Sequence, residues 1–135
     1  MKLSTNFTLE ELTVTSVDAD NTPNEEQIAN LKRLVSHVLQ PLRDMYGKPI
    51  KINSGFRSKE VNKAVGGSPT SSHCSGEAAD LDCENNALLF SIIRETLPFD
   101  QVINEQNYSW IHVSFRKGNN RNQALEMING KYFPV

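Results

Sequence analysis

Apolar residues recur three and four positions apart at Ile28, Leu31, Leu34, Val35, Val38, Leu39, Leu42 and Met45. That is the period of an amphipathic helix lying on a core. Its start is signalled by Thr22-Pro23-Asn24-Glu25, which offers a capping hydroxyl, a proline at the first helical position and a glutamate for a capping box. Gly47 and then Pro49 end it. Pro41 falls inside the run, and because the spacing continues past it, a kink is predicted there and not a stop. Upstream, Phe7 to Leu12 predicts one helical turn docking an apolar edge. Downstream, the alternation of Ile50-Lys51-Ile52-Asn53-Ser54 predicts a strand. Ser58 to Val65 reads as a short serine-capped helix ended by Gly66-Gly67, followed by a loop over 68–72. Ala78 to Cys83 reads as a buried strand, and Asn85 as the cap of a second amphipathic helix with Leu88, Leu89, Ile92, Ile93 and Leu97. Residues 101–105 and 110–115 predict two antiparallel strands joined by a tight connection, and a short helix is predicted near 123–128. The pattern is α+β: a small antiparallel sheet with helices packed on one side, in a single domain over 1–135.

Composition narrows the function classes. A chain of 135 residues, 38% hydrophobic and 22% charged, is long enough for one core without staples. A net charge of -2 implies no dense basic face, so no nucleic-acid partner is expected. No apolar run is long enough for a membrane span. Met1 to Phe7 lacks the apolar centre of a secretory signal, so the expectation is cytoplasmic synthesis without export by that route. Cys74 and Cys83 make no disulfide framework. Without a C-x-x-C pair, Cys74 is read as a small buried or half-buried thiol and not a metal ligand, and a Cys74–Cys83 bridge is possible but unforced.

The chemistry lies in two blocks, Ser71-Ser72-His73-Cys74-Ser75-Gly76-Glu77-Ala78-Ala79-Asp80 and Trp110-Ile111-His112-Val113-Ser114. Two imidazoles and a carboxylate are the donor set of a catalytic zinc ion that keeps one coordination position for water. Taken singly, His112 would be a satisfied core imidazole. Its pairing with His-x-x-Gly-x-Ala-x-Asp is what core packing does not require.

Ser71-x-His73-x-x-Gly76-x-Ala78-x-Asp80 with Trp110-x-His112 resembles the zinc D-Ala-D-Ala carboxypeptidase family, whose fold is shared with the hedgehog signalling domain. Asn21-Thr22-Pro23, Ser54-Gly55-Phe56-Arg57-Ser58 and Asn62 to Ser68 extend the resemblance, toward the small single-domain branch, over roughly residues 7–116. The resemblance implies that His73, Asp80 and His112 hold one zinc ion, that Arg57 and Ser71 bind substrate, and that the substrate is a peptidoglycan stem peptide. It also exposes a departure. Many relatives carry the carboxylate that moves protons three residues before the last histidine, and here that residue is Ser109.

Strand pairing across a turn at Asn107-Tyr108 offers Glu105 instead. It sets Glu105 opposite Trp110 and Ile103 opposite His112, so Glu105 and His112 share a face. Its bland alternative is a solvent-facing charge at a hairpin end. Asp100 is the runner-up carboxylate. Asp82 is a third, or an acceptor holding a histidine N–H. Arg57 otherwise reads as a surface arginine or a partner of Glu60, Ser71 as ordinary loop polarity, and His37 as structural. The leading expectation is a zinc peptidase of the cell wall, phage-encoded or bacterial. The alternative, motivated by Ser109, is a non-catalytic zinc-stabilised binding module. A zinc hydrolase acting on another amide is a third reading. No oligomeric state follows.

Overall fold

The computed structural model describes residues 1–135. The first helical turn is α1, Leu9–Leu12, closed by a Thr8/Glu11 capping box with Leu12 buried. The long helix begins at Glu25, not at Pro23. Asn24 Oδ1 accepts from the Gln27 N–H, and the Gln27 side chain accepts from the Asn24 N–H. This reciprocal pair leaves Pro23 outside the helix. α2 (Glu25–Leu34) and α3 (Gln40–Tyr46) are joined by a π-helical stretch over Val35–Leu39. The widened turn is how the helix accommodates Pro41, which lacks an N–H and whose ring would crowd the carbonyl one α-turn back. The disturbance predicted at Pro41 is therefore spread over the turn before it.

β1 is Lys51–Ser54, α4 is Lys59–Ala64, and a 3₁₀ turn spans Ser72–Ser75. β2 (Ala78–Asp82), α5 (Asn86–Thr96), β3 (Gln101–Glu105) and β4 (Trp110–Ser114) follow as predicted. The chain then departs from expectation. Residues 123–128 are not a helix but a strand, β5 (Gln123–Ile128), turning back into β6 (Lys131–Pro134). Asn129 and Gly130 between them have φ of 51° and 78°, the left-handed pair of a two-residue hairpin.

The sheet order is β1-β2-β4-β3-β5-β6. Every neighbouring pair is antiparallel, as predicted for the sheet, except β3–β5, which is parallel and makes the six-stranded sheet mixed. The parallel pair is possible because residues 115–122 cross directly over the start of β3. Asp100, just before β3, pins both ends of that strap through Arg116 and Arg121.

Side-chain alternation divides the sheet into two faces. Ala79, Leu81, Val102, Ile111 and Val113 are wholly buried and belong to one core cluster with Leu31, Leu34, Val35, Val38, Leu39, Leu42, Leu89 and Ile93 of the helices. The opposite face carries Asp80, Ile103, Glu105, Trp110 and His112 and lines a cleft. The hairpin register is the predicted one: Ile103 pairs with His112 and Glu105 with Trp110.

Candidate metal centre and its cleft

His73, Asp80 and His112 come from three elements, and their ligand atoms all lie within 4.8 Å of one another. Asp80 and His112 are directly paired across β2 and β4, so the sheet register alone brings them together. His73 enters from the 3₁₀ turn. Ser71 caps that turn by accepting from the His73 N–H at 3.2 Å. From α2, the Gln27 and Asn30 amides donate to the Cys74 and Ser75 carbonyls at 3.2 and 2.9 Å. Gly76 closes the turn with φ of 76°, and a side chain there would meet the Gln27 carbonyl oxygen at 2.5 Å. Only glycine satisfies both conditions.

The donor set suits a zinc ion. His73 Nδ1 lies 2.7 Å from the Gly55 carbonyl, which can only accept. The proton is therefore on Nδ1, and the Nε2 lone pair faces Asp80 Oδ1 at 3.3 Å. His112 Nδ1 lies 3.0 Å from the same oxygen. Ligands about 2.0–2.1 Å from a tetrahedral zinc ion stand about 3.4 Å apart, close to both carboxylate-to-imidazole separations. The His73 tautomer is fixed from behind by backbone, the usual way a metal-binding imidazole is aimed. Gly55 is held in turn. Its successor Phe56 donates to the Leu12 carbonyl at 2.7 Å, and a Cβ on Gly55 would collide with that carbonyl. Burial pushes the Asp80 carboxyl upward, but the hydrogen bond from His112 and the close approach of the His73 ring outweigh it and hold the group well below the usual carboxylate range.

Glu105 lines the same cleft and is 7% exposed. Burial raises its pKa above the ordinary value; the His112 ring works against that shift, and the Asp80 charge adds to it. Ser109 takes no part. Its hydroxyl donates to the Gln106 carbonyl at 2.6 Å within the exposed turn. Asp100 is fully buried but committed to Arg121, whose Nε and Nη2 donate to Oδ1 and Oδ2 at 3.0 and 2.7 Å. Asp82 accepts from the Asn86 amide at 2.7 Å and from no histidine. Of the three carboxylates weighed, only Glu105 lines the cleft.

Arg57 also lines the cleft, and its Nε is buried without a hydrogen-bond partner; the pairing with Glu60 is not formed. Its backbone is fixed on both sides by Asn21, whose amide donates to the Phe56 carbonyl at 3.0 Å and accepts from the Ser58 N–H at 2.7 Å. Ser71 lines the cleft as well as capping the turn. His37 lies away from the site, stacked on Phe115 with ring centroids 4.7 Å apart. Cys74 and Cys83 are free thiols outside the His-Asp-His group.

Sequence reasoning missed the far wall. Leu125 and Met127 of β5 and Tyr132 of β6 complete the cleft, whose volume is about 770 Å³. Tyr132 pairs with Met127, and Met127 with Glu105, so one cross-sheet row reaches the carboxylate. Burial raises the Tyr132 phenol, with the Glu105 and Asp80 charges adding to the shift. Asn129-Gly130, between Met127-Ile128 and Lys131-Tyr132-Phe133, was the available signal for this hairpin.

A family model described as Peptidase M15 matches residues 5–114. Over 78 residues the chain is 41% identical to the zinc D-Ala-D-Ala carboxypeptidase of Streptomyces albus G. That stretch is 56% of this chain and 31% of the relative, so the chain spans about a third of the relative's length.

Proposed function

We propose that this chain, which belongs to the peptidase M15 family, is a zinc-dependent hydrolase of peptide bonds in peptidoglycan stem peptides. The observation that carries the reading is the convergence of His73, Asp80 and His112 on one face of the sheet, beside a buried carboxylate. A zinc ion held by those three side chains supplies a Lewis acid that polarises the scissile carbonyl and acidifies water.

The chain's own residues do the rest. Glu105 Oε accepts a proton from the attacking water and returns it to the leaving nitrogen, a role that a raised pKa favours. Arg57 offers a guanidinium unpartnered at Nε to a substrate carboxylate, which it can take by two parallel hydrogen bonds. Ser71 keeps His73 in place and offers its hydroxyl to the bound peptide. The relative's name points to a D-Ala-D-Ala bond. We place the activity in phage lysis or bacterial cell-wall turnover by analogy of fold with function.

The test is digestion of purified cell walls, read by mass spectrometry, with native protein, chelated protein and Glu105→Gln. Native protein is expected to release stem-peptide fragments, and chelation to abolish the release. Glu105→Gln should lower kcat by about 10²–10⁴-fold with zinc content unchanged. Zinc-loaded native protein and Glu105→Gln that are equally inert on a broad peptide panel would mark a binding module instead.

A further inference from the structure

The cleft has a second cationic wall that the reaction just described does not use. Asp100, wholly buried, faces two arginines, Arg116 and Arg121, so one positive charge of the trio is uncompensated. The two are held differently. Arg121 takes both carboxylate oxygens by hydrogen bonds, and its own N–H adds a third at 3.0 Å. Arg116 meets the carboxylate only as an ion pair, Nε to Oδ2 at 3.2 Å, and its guanidinium makes no hydrogen bond. Its backbone is nevertheless clamped. The Arg116 N–H donates to Asn120 Oδ1 at 2.8 Å, and the Asn120 amide returns a bond to the Arg116 carbonyl at 3.1 Å.

Arg116 is thus aimed but unspent. With Thr70, Ser71 and Ser72 it lines both the cleft and a polar groove of about 460 Å³ beside it, so it stands at the junction of the two. Sheet pairing continues to its neighbour, since the Phe115 N–H donates to the Glu77 carbonyl at 2.9 Å. Four residues at strand rise therefore separate Arg116 from His112, about 13 Å along the sheet. An extended peptide covers that distance in about four residues.

We propose that Arg116, positioned by Asp100, is a second carboxylate-binding point, and that the cleft selects peptides bearing an internal carboxylate in addition to the one taken by Arg57. A planar guanidinium fixed at its backbone, with Nε on Asp100 and its terminal N–H groups free, has little ordering left to lose on binding, and it matches a carboxylate fork to fork. A peptide ligand is assumed from the peptidase reading, but the contact itself does not depend on bond cleavage.

The experiment measures binding and not turnover. Calorimetric titration uses the zinc-loaded Glu105→Gln protein, with Arg116→Gln, Arg116→Lys and Arg57→Gln added singly. The probes are three forms of L-alanyl-γ-D-glutamyl-L-lysyl-D-alanyl-D-alanine: both carboxylates free, the glutamyl carboxylate amidated, and the C-terminal carboxylate amidated. Amidating the glutamyl group should weaken binding to the parent by roughly tenfold, the scale of a hydrogen bond to a charged group. Arg116→Gln should erase that difference and keep the one caused by C-terminal amidation; Arg57→Gln should do the reverse. Arg116→Lys should retain part of the glutamyl effect. The side chain of Arg116 is 41% exposed, so these variants should melt like the parent.

The proposal is overturned if Arg116→Gln keeps the parent's ratios, if it weakens all three peptides equally, or if the zinc-loaded parent binds none of them. A native-protein digest run beside the titration separates the two readings. Peptides bound with the expected ratios but never cut would sink the peptidase and leave the arginine contact standing.

Discussion

At the scale of single residues, the site places groups where they are useful and not where they are most stable. Glu105 is the clearest case. Its folded-state pKa is raised by burial, so folding favours the protonated form. Stability tied to this group is complete below its ordinary pKa of 4.5 and is lost as pH rises through the folded value. Metal-free Glu105→Gln should therefore melt higher than metal-free native protein at pH 7, with the gap closing on acidification below about pH 4.5. Thermal melts across pH, in chelator, read this directly; a gap that persists at pH 4 would mean that the glutamate is not strained by burial. Asp80 has the opposite sign. The imidazole contacts that depress its pKa contribute stability that is lost as the carboxyl protonates in acid.

At the scale of elements, the turn that delivers Glu105 is conformationally costly. Gln106, Asn107 and Tyr108 are three successive non-glycine residues with φ of 47°, 54° and 62°, each in a region that L-residues enter at a cost. The turn is tied down from outside: the Asn86 amide donates to the Tyr108 carbonyl at 3.0 Å, and the Gln106 N–H to the Met127 carbonyl at 2.8 Å. The Asn107 side chain makes no hydrogen bond, so Asn107→Gly should raise stability by up to about 1 kcal/mol with activity unchanged, read by denaturant melts. A destabilised variant would show that the asparagine tolerates this conformation better than glycine repays its chain entropy.

The same elements show what the sequence makes legible. The α2 periodicity, the Asn85 cap and the β3–β4 register are local signals, and residues 101–115 fold as that register requires. Gln123-Ala124-Leu125-Glu126-Met127 has strong helix formers yet forms a strand, because pairing with the otherwise open edge of β3 overrides a weak local preference. The His-Asp-His trio was legible as chemistry. The partnerless Arg57 Nε and the Arg116 clamp depend on contacts across the fold and left no trace in spacing.

At the scale of the whole molecule, the three metal-binding candidates connect the sheet to the loop over it, so ion binding should register as global stability. At a zinc concentration a hundredfold above Kd, linkage gives about 2.7 kcal/mol. The expected result is a melting temperature raised by zinc in native protein and insensitive to it in His112→Ala. Equal shifts in both would place the ion elsewhere. The family match ends at residue 114, whereas Arg121, Leu125, Met127 and Tyr132, which wall the cleft, come after it. Under the proposed function, the metal-holding trio, Glu105, Arg57 and Ser71 thus lie within the matched stretch, and part of the wall that a ligand would meet lies beyond it. Exchange of that tail, in evolution or by grafting, would recontour the surface offered to a ligand while the His-Asp-His trio keeps its own scaffold.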